Sequence, residues 1–371
     1  MILLLFLPVL SAFYSQQDTY ILKREIFRTP LTSINISPDG VFLLAGFHDG
    51  SFRLMDPESF AVILEVKEAH FRAVNAMDMP PGMEYILTAG HSSIKLWDKT
   101  GKHLADWSFH ATTIWNADIS NDGKYVVSSA FNKTFLLWDA VSGELLEEMR
   151  GHDDVTLAVC ISPDSRLIAS GSSDRTVKIW DIETRRVIKT LHGPAEDIYD
   201  VAFSPDNLLL AVASKDGKIR IYHLPGEKIV HLLGGHRDMV MEVAFSPDGK
   251  YMVSASADHS LILWDVTSGE RIHSFPDNEE AVLDVVFHPD GRSFYSISFA
   301  GDLTRWEMHP EIFVLRYFKQ PYLEELSADP VFDPRRKGES RKDYQSRLER
   351  AASEKEKIIN RYYRRYLSGN K

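Results

Sequence analysis

Seven times between residues 52 and 307, a short run rich in β-branched and aliphatic side chains ends on a Trp-Asp pair or a near variant. The pairs are Met55-Asp56, Trp97-Asp98, Trp138-Asp139, Trp180-Asp181, Tyr222-His223, Trp264-Asp265 and Trp306-Glu307, at intervals of 42, 41, 42, 42, 42 and 42 residues. So regular a period leaves few architectures, because each repeat must bury its apolar face against its neighbours. A second marker keeps the period. Ser-Pro-Asp-Gly-like turns stand at Ser37–Gly40, Ser120–Gly123, Ser162–Asp164, Ser204–Asp206, Ser246–Gly249 and His288–Gly291, and Pro80-Pro81-Gly82 replaces them in the second repeat. Pro presets φ at the second turn position and Gly accepts a positive φ, which is hairpin chemistry. Between the turns lie runs of four to seven residues such as Val240–Phe245 and Tyr251–Ser256. Three or four short strands per repeat, with no 3.6-residue period, predict an all-β repeat fold.

The repeats resemble the WD40 family over about residues 19–308, with Gly151-His152 and Gly235-His236 preceding Trp180-Asp181 and Trp264-Asp265 at the family's spacing. The resemblance implies a seven-bladed β-propeller, each blade a four-stranded antiparallel sheet around a central channel. Such a ring closes when one blade borrows a strand from the other end of the chain. Tyr20–Lys23 and Ile312–Leu315 compete for that place, and the N-terminal strand is preferred.

His152, Ser170, Asp174 and Trp180 recur as His236, Ser254, Asp258 and Trp264, each displaced by 84 residues. Ser, His and Asp together suggest a hydrolase, but a catalytic set need occur only once. The family resemblance implies instead a structural tetrad in which the buried indole N–H is satisfied through Ser, His and Asp. Decayed versions appear at His110, Ser128, Asn132 and Trp138, and at His70, Thr88 and Trp97. Blades 1, 5 and 7 carry Met55, Tyr222 and Ala300 at key positions and are expected to be softer.

The resemblance also points to a binding face, formed by the loops entering the first strand of each blade and the turns between its second and third strands. The position five residues after the His gives Thr32, Asn75, Trp115, Leu157, Tyr199, Met241 and Leu283, with a two-residue shift in blade 5. The position before the tetrad Asp adds Phe131 and Phe299. Trp115, Phe131, Leu157, Tyr199, Met241, Leu283 and Phe299 are therefore the candidate partner-binding residues, since apolar anchors on a polar rim mark interaction sites. The competing reading is that several of them fill the channel mouth.

Charge divides the chain. Residues 333–371 hold 13 Lys and Arg against 6 Asp and Glu, a net of +7, which leaves −18 on the remainder of a chain of net charge −11. That makes nucleic acid an unlikely partner for the body. Residues 309–338, with Pro321, Pro330, Pro334 and Gly338, read as a linker, and 339–371 as a basic amphipathic helix capped at Ser340. Its Tyr/Ile/Leu stripe fits packing on the acidic propeller, pairing with another helix, or binding an acidic partner or a membrane surface.

The single cysteine, Cys160, lies in an apolar run, so no intrachain disulfide is expected. The apolar run Ile2–Leu10 is too short to span a bilayer and suits a signal peptide over residues 1–15. It predicts an exported protein, periplasmic or secreted, with a cytoplasmic one as the alternative. No G-x-S-x-G, H-E-x-x-H, Walker loop or Cys cluster occurs. The reading is therefore a non-enzymatic scaffold without metal or cofactor, binding a protein or peptide on the upper propeller face. The alternative is an enzyme or small-molecule binder using the channel mouth.

Overall fold

The computed structural model describes residues 20–82, 85–110, 112–275, 279–333, 336 and 338–369. It divides into two compact units, Leu22–Trp306 and a second built from Glu307–Lys371 with the residues up to Ile21.

The first unit holds seven four-stranded antiparallel sheets, as the repeats predict. Within each sheet the strands are termed a to d, from the channel outwards. The a strands are Leu31–Ile36, Val74–Asp78, Ile114–Ile119, Thr156–Ile161, Ile198–Phe203, Val240–Phe245 and Val282–Phe287. Their neighbours, such as Tyr125–Ala130 and Leu167–Ser172, are buried on both faces, because each blade is sandwiched between two others. Packing between blades is aliphatic and aromatic, as where Phe135 meets Trp180 of the next blade edge to face, with ring centroids 5.3 Å apart.

The Ser-x-Asp turns lie at the lower end of the blades, each locked by its own side chains. Ser162 Oγ donates to Asp164 Oδ1 (2.6 Å) and accepts the N–H of Leu167 (2.9 Å). Blade 7 is completed by the N-terminal strand Ile21–Ile26, which lies outside Asp302–Glu307. Its rival, Ile312–Leu315, is helical.

The second unit corrects the expected linker. Residues 310–328 form two helices, α1 (Pro310–Tyr317) and α2 (Lys319–Ala328), followed by a 3-10 turn at Pro330–Phe332. Pro310 sits in the first turn of α1 and Pro321 in that of α2, where the missing N–H costs nothing. The basic helix is α3 (Arg341–Leu367), with Ser340 Oγ accepting the N–H of Asp343 at its start. Its stripe is covered from within the unit: Tyr366 stacks on Phe313 and Tyr317 (5.2 and 5.0 Å), and Tyr362 packs on Phe318 (5.4 Å).

The α3 contacts also include buried charge. Glu311 accepts from Tyr322 Oη (2.6 Å) and pairs with Lys355 Nζ (3.1 Å), and Arg347 pairs with Glu339 (2.8 Å) and donates to the carbonyl of Asp333 (2.6 Å).

Candidate binding face and channel of the propeller

Every a strand starts with the same irregularity. The ladder to strand b breaks between the first and third residues, leaving the second as an unpaired bulge. The seven bulged residues are Thr32, Asn75, Trp115, Leu157, Tyr199, Met241 and Leu283. A bulge bends the strand and re-aims the extra side chain, so one position per blade is freed from the ladder at the upper end of the ring. Tyr199 needs no special treatment; it occupies the same bulge as the others.

Six of the seven line one channel cavity of about 440 Å³: Thr32, Asn75, Trp115, Tyr199, Met241 and Leu283. Leu157 does not, and it corrects the expectation that all seven are presented. It is 5% exposed, and its strand is drawn to blade 3 by Ser129 Oγ, which donates to the Leu157 carbonyl (2.9 Å). Phe131 and Phe299 stand on the rim, 53% and 63% exposed, and Phe131 meets Trp115 edge to face at 5.4 Å. Sequence reasoning missed Phe71 and Phe109, which are 82% and 60% exposed on the loops entering blades 2 and 3.

It also missed the acidic wall below the mouth. Asp200, Glu242 and Asp284 stand one residue past the bulges of blades 5 to 7, and Asp78 and Asp118 three residues past those of blades 2 and 3. Four of them accept an N–H from the a strand of the next blade: Asp78 from Ile119 (3.3 Å), Asp118 from Ile161 (2.6 Å), Asp200 from Val243 (3.0 Å) and Asp284 from Ile34 (2.9 Å). These carboxylates tie the ring together. The first three were legible as a signal, since 200, 242 and 284 keep the 42-residue step inside otherwise apolar strands.

Burial pushes all five carboxyls upwards, Asp200 to about 6 and Asp284 to about 7, with the Asp200 charge adding to Asp284. After burial, the Asp200 charge raises Glu242 further, and the Asp78 charge does the same to Asp118. Glu242 and Asp284 line the channel cavity, and protein surrounds all five closely enough to strip most of their hydration. The chemistry available here is charge and hydrogen bonding. Among the described residues, no group of three or more His, Cys, Asp or Glu is placed to hold a metal ion.

The proposed tetrads are brought together. Trp180 Nε1 donates to Ser170 Oγ (2.8 Å), which contacts His152 Nε2 (2.8 Å), and His152 Nδ1 meets Asp174 Oδ2 (2.8 Å). In blade 6 the corresponding distances are 2.9, 2.7 and 3.1 Å through Ser254, His236 and Asp258. Because the Asp carboxylate can only accept, the imidazole proton is assigned to Nδ1 facing it, which leaves Nε2 to accept from Ser while the Ser oxygen accepts from the indole. Burial holds both histidines below their ordinary value, opposed by the paired Asp. Asp174 is held down to about 2, its hydrogen bonds from Thr176, Asp153 and His152 outweighing desolvation.

The other blades depart in detail. Blades 2 and 3 keep His70–Thr88–Trp97 and His110–Ser128–Trp138 without an Asp. Blade 7 retains the Trp306–Ser296 bond (2.8 Å). Blade 5 substitutes Tyr222 Oη donating to the His192 carbonyl (2.8 Å) and a buried Arg220–Asp216 pair (2.7 Å).

Comparison with known proteins agrees with this geometry. The WD domain, G-beta repeat model matches residues 23–56, 62–98, 101–139 and 143–181, and the model of the anaphase-promoting complex subunit 4 WD40 domain matches 201–290. A curated relative, U3 small nucleolar RNA-associated protein 12 of Saccharomyces cerevisiae, is 27% identical over 150 residues, covering 38% of this chain and 16% of the relative. The chain thus spans a small part of that protein. A protein associated with a small nucleolar RNA is not a periplasmic or secreted one, so the expectation of export is withdrawn; the segment 1–15 on which it rested lies outside the described residues. Among the described residues no helix is long and apolar enough to cross a membrane. Seven blades, Trp-Asp repeats and the matched models together show that the chain belongs to the WD40-repeat family.

Proposed function

We propose that this protein is a non-enzymatic scaffold that holds a protein or peptide partner on the upper face of the propeller. The observation that carries the reading is the ring of bulged residues. Six of them, from six different blades, converge on one cavity whose rim also bears exposed Phe131 and Phe299. Aromatic and Met side chains in a concave, partly desolvated site are the usual anchors of an interface. The Ser-His-Asp sets argue for no hydrolase: each Ser and His is spent on a buried indole, and both copies are closed away from the mouth.

The name of the yeast relative supports a setting within an intracellular RNA-containing assembly, where a propeller serves by holding neighbours together. The test is affinity capture of the tagged chain from its own cells, with the Trp115→Ala/Met241→Ala double variant alongside. A variant that keeps the wild-type Tm but loses the stable partners is the expected result. One that folds normally and captures the same partners overturns the upper-face reading.

A further inference from the structure

The channel cavity carries charge of one sign. Glu242 and Asp284 are the only charged residues among its described lining, and both are acids. They hold matching positions in neighbouring blades, each one residue past its bulge. Asp200 holds the same position in blade 5, where it is 4% exposed and accepts the N–H of Val243 (3.0 Å). The charges acting on Glu242 are those of Asp200 and Asp284, and the charge acting on Asp284 is that of Asp200. Among the described residues, no Lys, Arg or His offsets any of the three. Like charges held together with little hydration and no counter-charge are an electrostatic cost that a cation relieves.

The uncharged polar groups of the lining favour the same kind of guest. Thr32 and Ser33 give their hydroxyl protons to the Val74 carbonyl (2.7 and 2.9 Å), and Asn35 gives its amide to the Met77 carbonyl and to Asp78 (2.9 and 3.2 Å). Asn75 donates to the Ile114 carbonyl (2.7 Å). Each spends donors on the next blade, which leaves the lining richer in acceptors than in donors. Above the acids, Trp115 (37% exposed), Tyr199 and Met241 form an apolar mouth from blades 3, 5 and 6. Such a mouth holds an alkyl stem by contact and a cation by the faces of its rings. The loops around it are mixed in sign, with exposed Arg72, Lys133, Arg175, Lys215 and Arg237 among acids such as Asp153, Glu196 and Glu280. The rim therefore does not select the charge of a guest; the cavity does.

We propose that the channel receives a basic side chain, Lys or Arg, of the protein partner. Its stem packs among Trp115, Tyr199 and Met241, and its charged head lies against Glu242 and Asp284. The assignment rests on the upper-face reading and adds the chemistry of the residue that enters the ring. An acidic side chain at the same place meets two carboxylates, and an apolar one leaves them without a counter-charge, so the cavity discriminates by repulsion as well as by attraction.

The probe is a fluorescently labelled peptide with one arginine between Leu and Phe, titrated against the full chain beside counterparts carrying lysine, citrulline or glutamate at that place. Citrulline keeps the shape of arginine without its charge. The arginine or lysine peptide is expected to bind at least about tenfold more tightly than the citrulline and glutamate peptides. Glu242→Gln/Asp284→Asn keeps the size of both side chains and an acceptor for Ile34, so the ring stays folded. It should bring the basic peptides down to the affinity of the citrulline peptide and leave that peptide unchanged. No binding of either basic peptide, equal binding of citrulline or glutamate, or a basic preference that survives in the folded double variant overturns the proposal. Capture from cells separates the two levels. Partners lost by both double variants support both readings. If Glu242→Gln/Asp284→Asn keeps partners that Trp115→Ala/Met241→Ala loses, the upper face stands and the basic side chain falls; if both keep them, both fall.

Discussion

Replacing Ser254 with alanine tests the tetrad as a structural device. Its Oγ is fully buried and joins two groups, accepting from Trp264 Nε1 at 2.9 Å and donating to His236 Nε2 at 2.7 Å. The methyl group that remains satisfies neither, so one donor and one acceptor are left unpaired in a dry interior. At about 1–3 kcal/mol for each unsatisfied group, with some relaxation, the loss is about 2–4 kcal/mol. In a domain of this size that corresponds to a Tm lower by roughly 5–10 °C. Trp264→Phe removes the indole donor, so adding Ser254→Ala to it should cost about 1 kcal/mol less than in the wild type, a coupling that a double-mutant cycle reads directly. Urea unfolding followed by circular dichroism gives the stabilities, and hydrogen exchange shows whether the loss centres on blade 6. A Ser254→Ala change below about 0.5 kcal/mol, or strict additivity with Trp264→Phe, would refute the reasoning.

The channel carboxyls predict a pH dependence. Asp284 holds its proton to about 7 in the fold against an ordinary 3.8, so the folded state binds more protons in that window. Its stabilising effect is complete below the lower value and is lost as pH rises through the upper one. Between pH of about 6.5 and 8, Asp284 alone should remove roughly 0.8 kcal/mol, and Asp284→Asn should flatten that slope while keeping an acceptor for Ile34; an unchanged slope contradicts the shift. The buried His70 and His110 and the half-buried His273, pulled down to about 4 mainly by desolvation, oppose the trend only below their ordinary 6.5, so stability should peak near neutrality. In the helical unit, Glu311→Ala strands Tyr322 Oη and Lys355 and should cost about 2–4 kcal/mol, read as faster amide exchange in α1 and α3. Unchanged exchange there would show that Glu311 is not a keystone of the unit.

The blades were legible because a 42-residue period, Ser-Pro-Asp turns and Trp-Asp ends all speak for the same unit. What escaped depends on pairing. That Trp115 or Tyr199 is a bulged residue follows from the ladder between strands a and b, which no local pattern announces. Leu157 shares the bulge yet is enclosed, because exposure is set by the neighbouring blade and not by its own repeat. Asp78 and Asp118 look like ordinary polar residues along a strand until the next blade's N–H is seen to need them. Pro321 and Pro330 suggested a linker, whereas Pro321 is compatible with the first turn of α2 and Pro330 opens the 3-10 turn that follows.

The most direct test of the scaffold reading is site-specific photo-crosslinking in the protein's own cells. A photoreactive phenylalanine analogue is placed at Phe131 on the upper rim and, as control, at Val141, which is exposed on a lower turn between strands c and d. Discrete protein adducts from position 131 and none from 141 are the predicted result. Adducts from 141 with none from 131 would place the working surface on the opposite face and contradict the account.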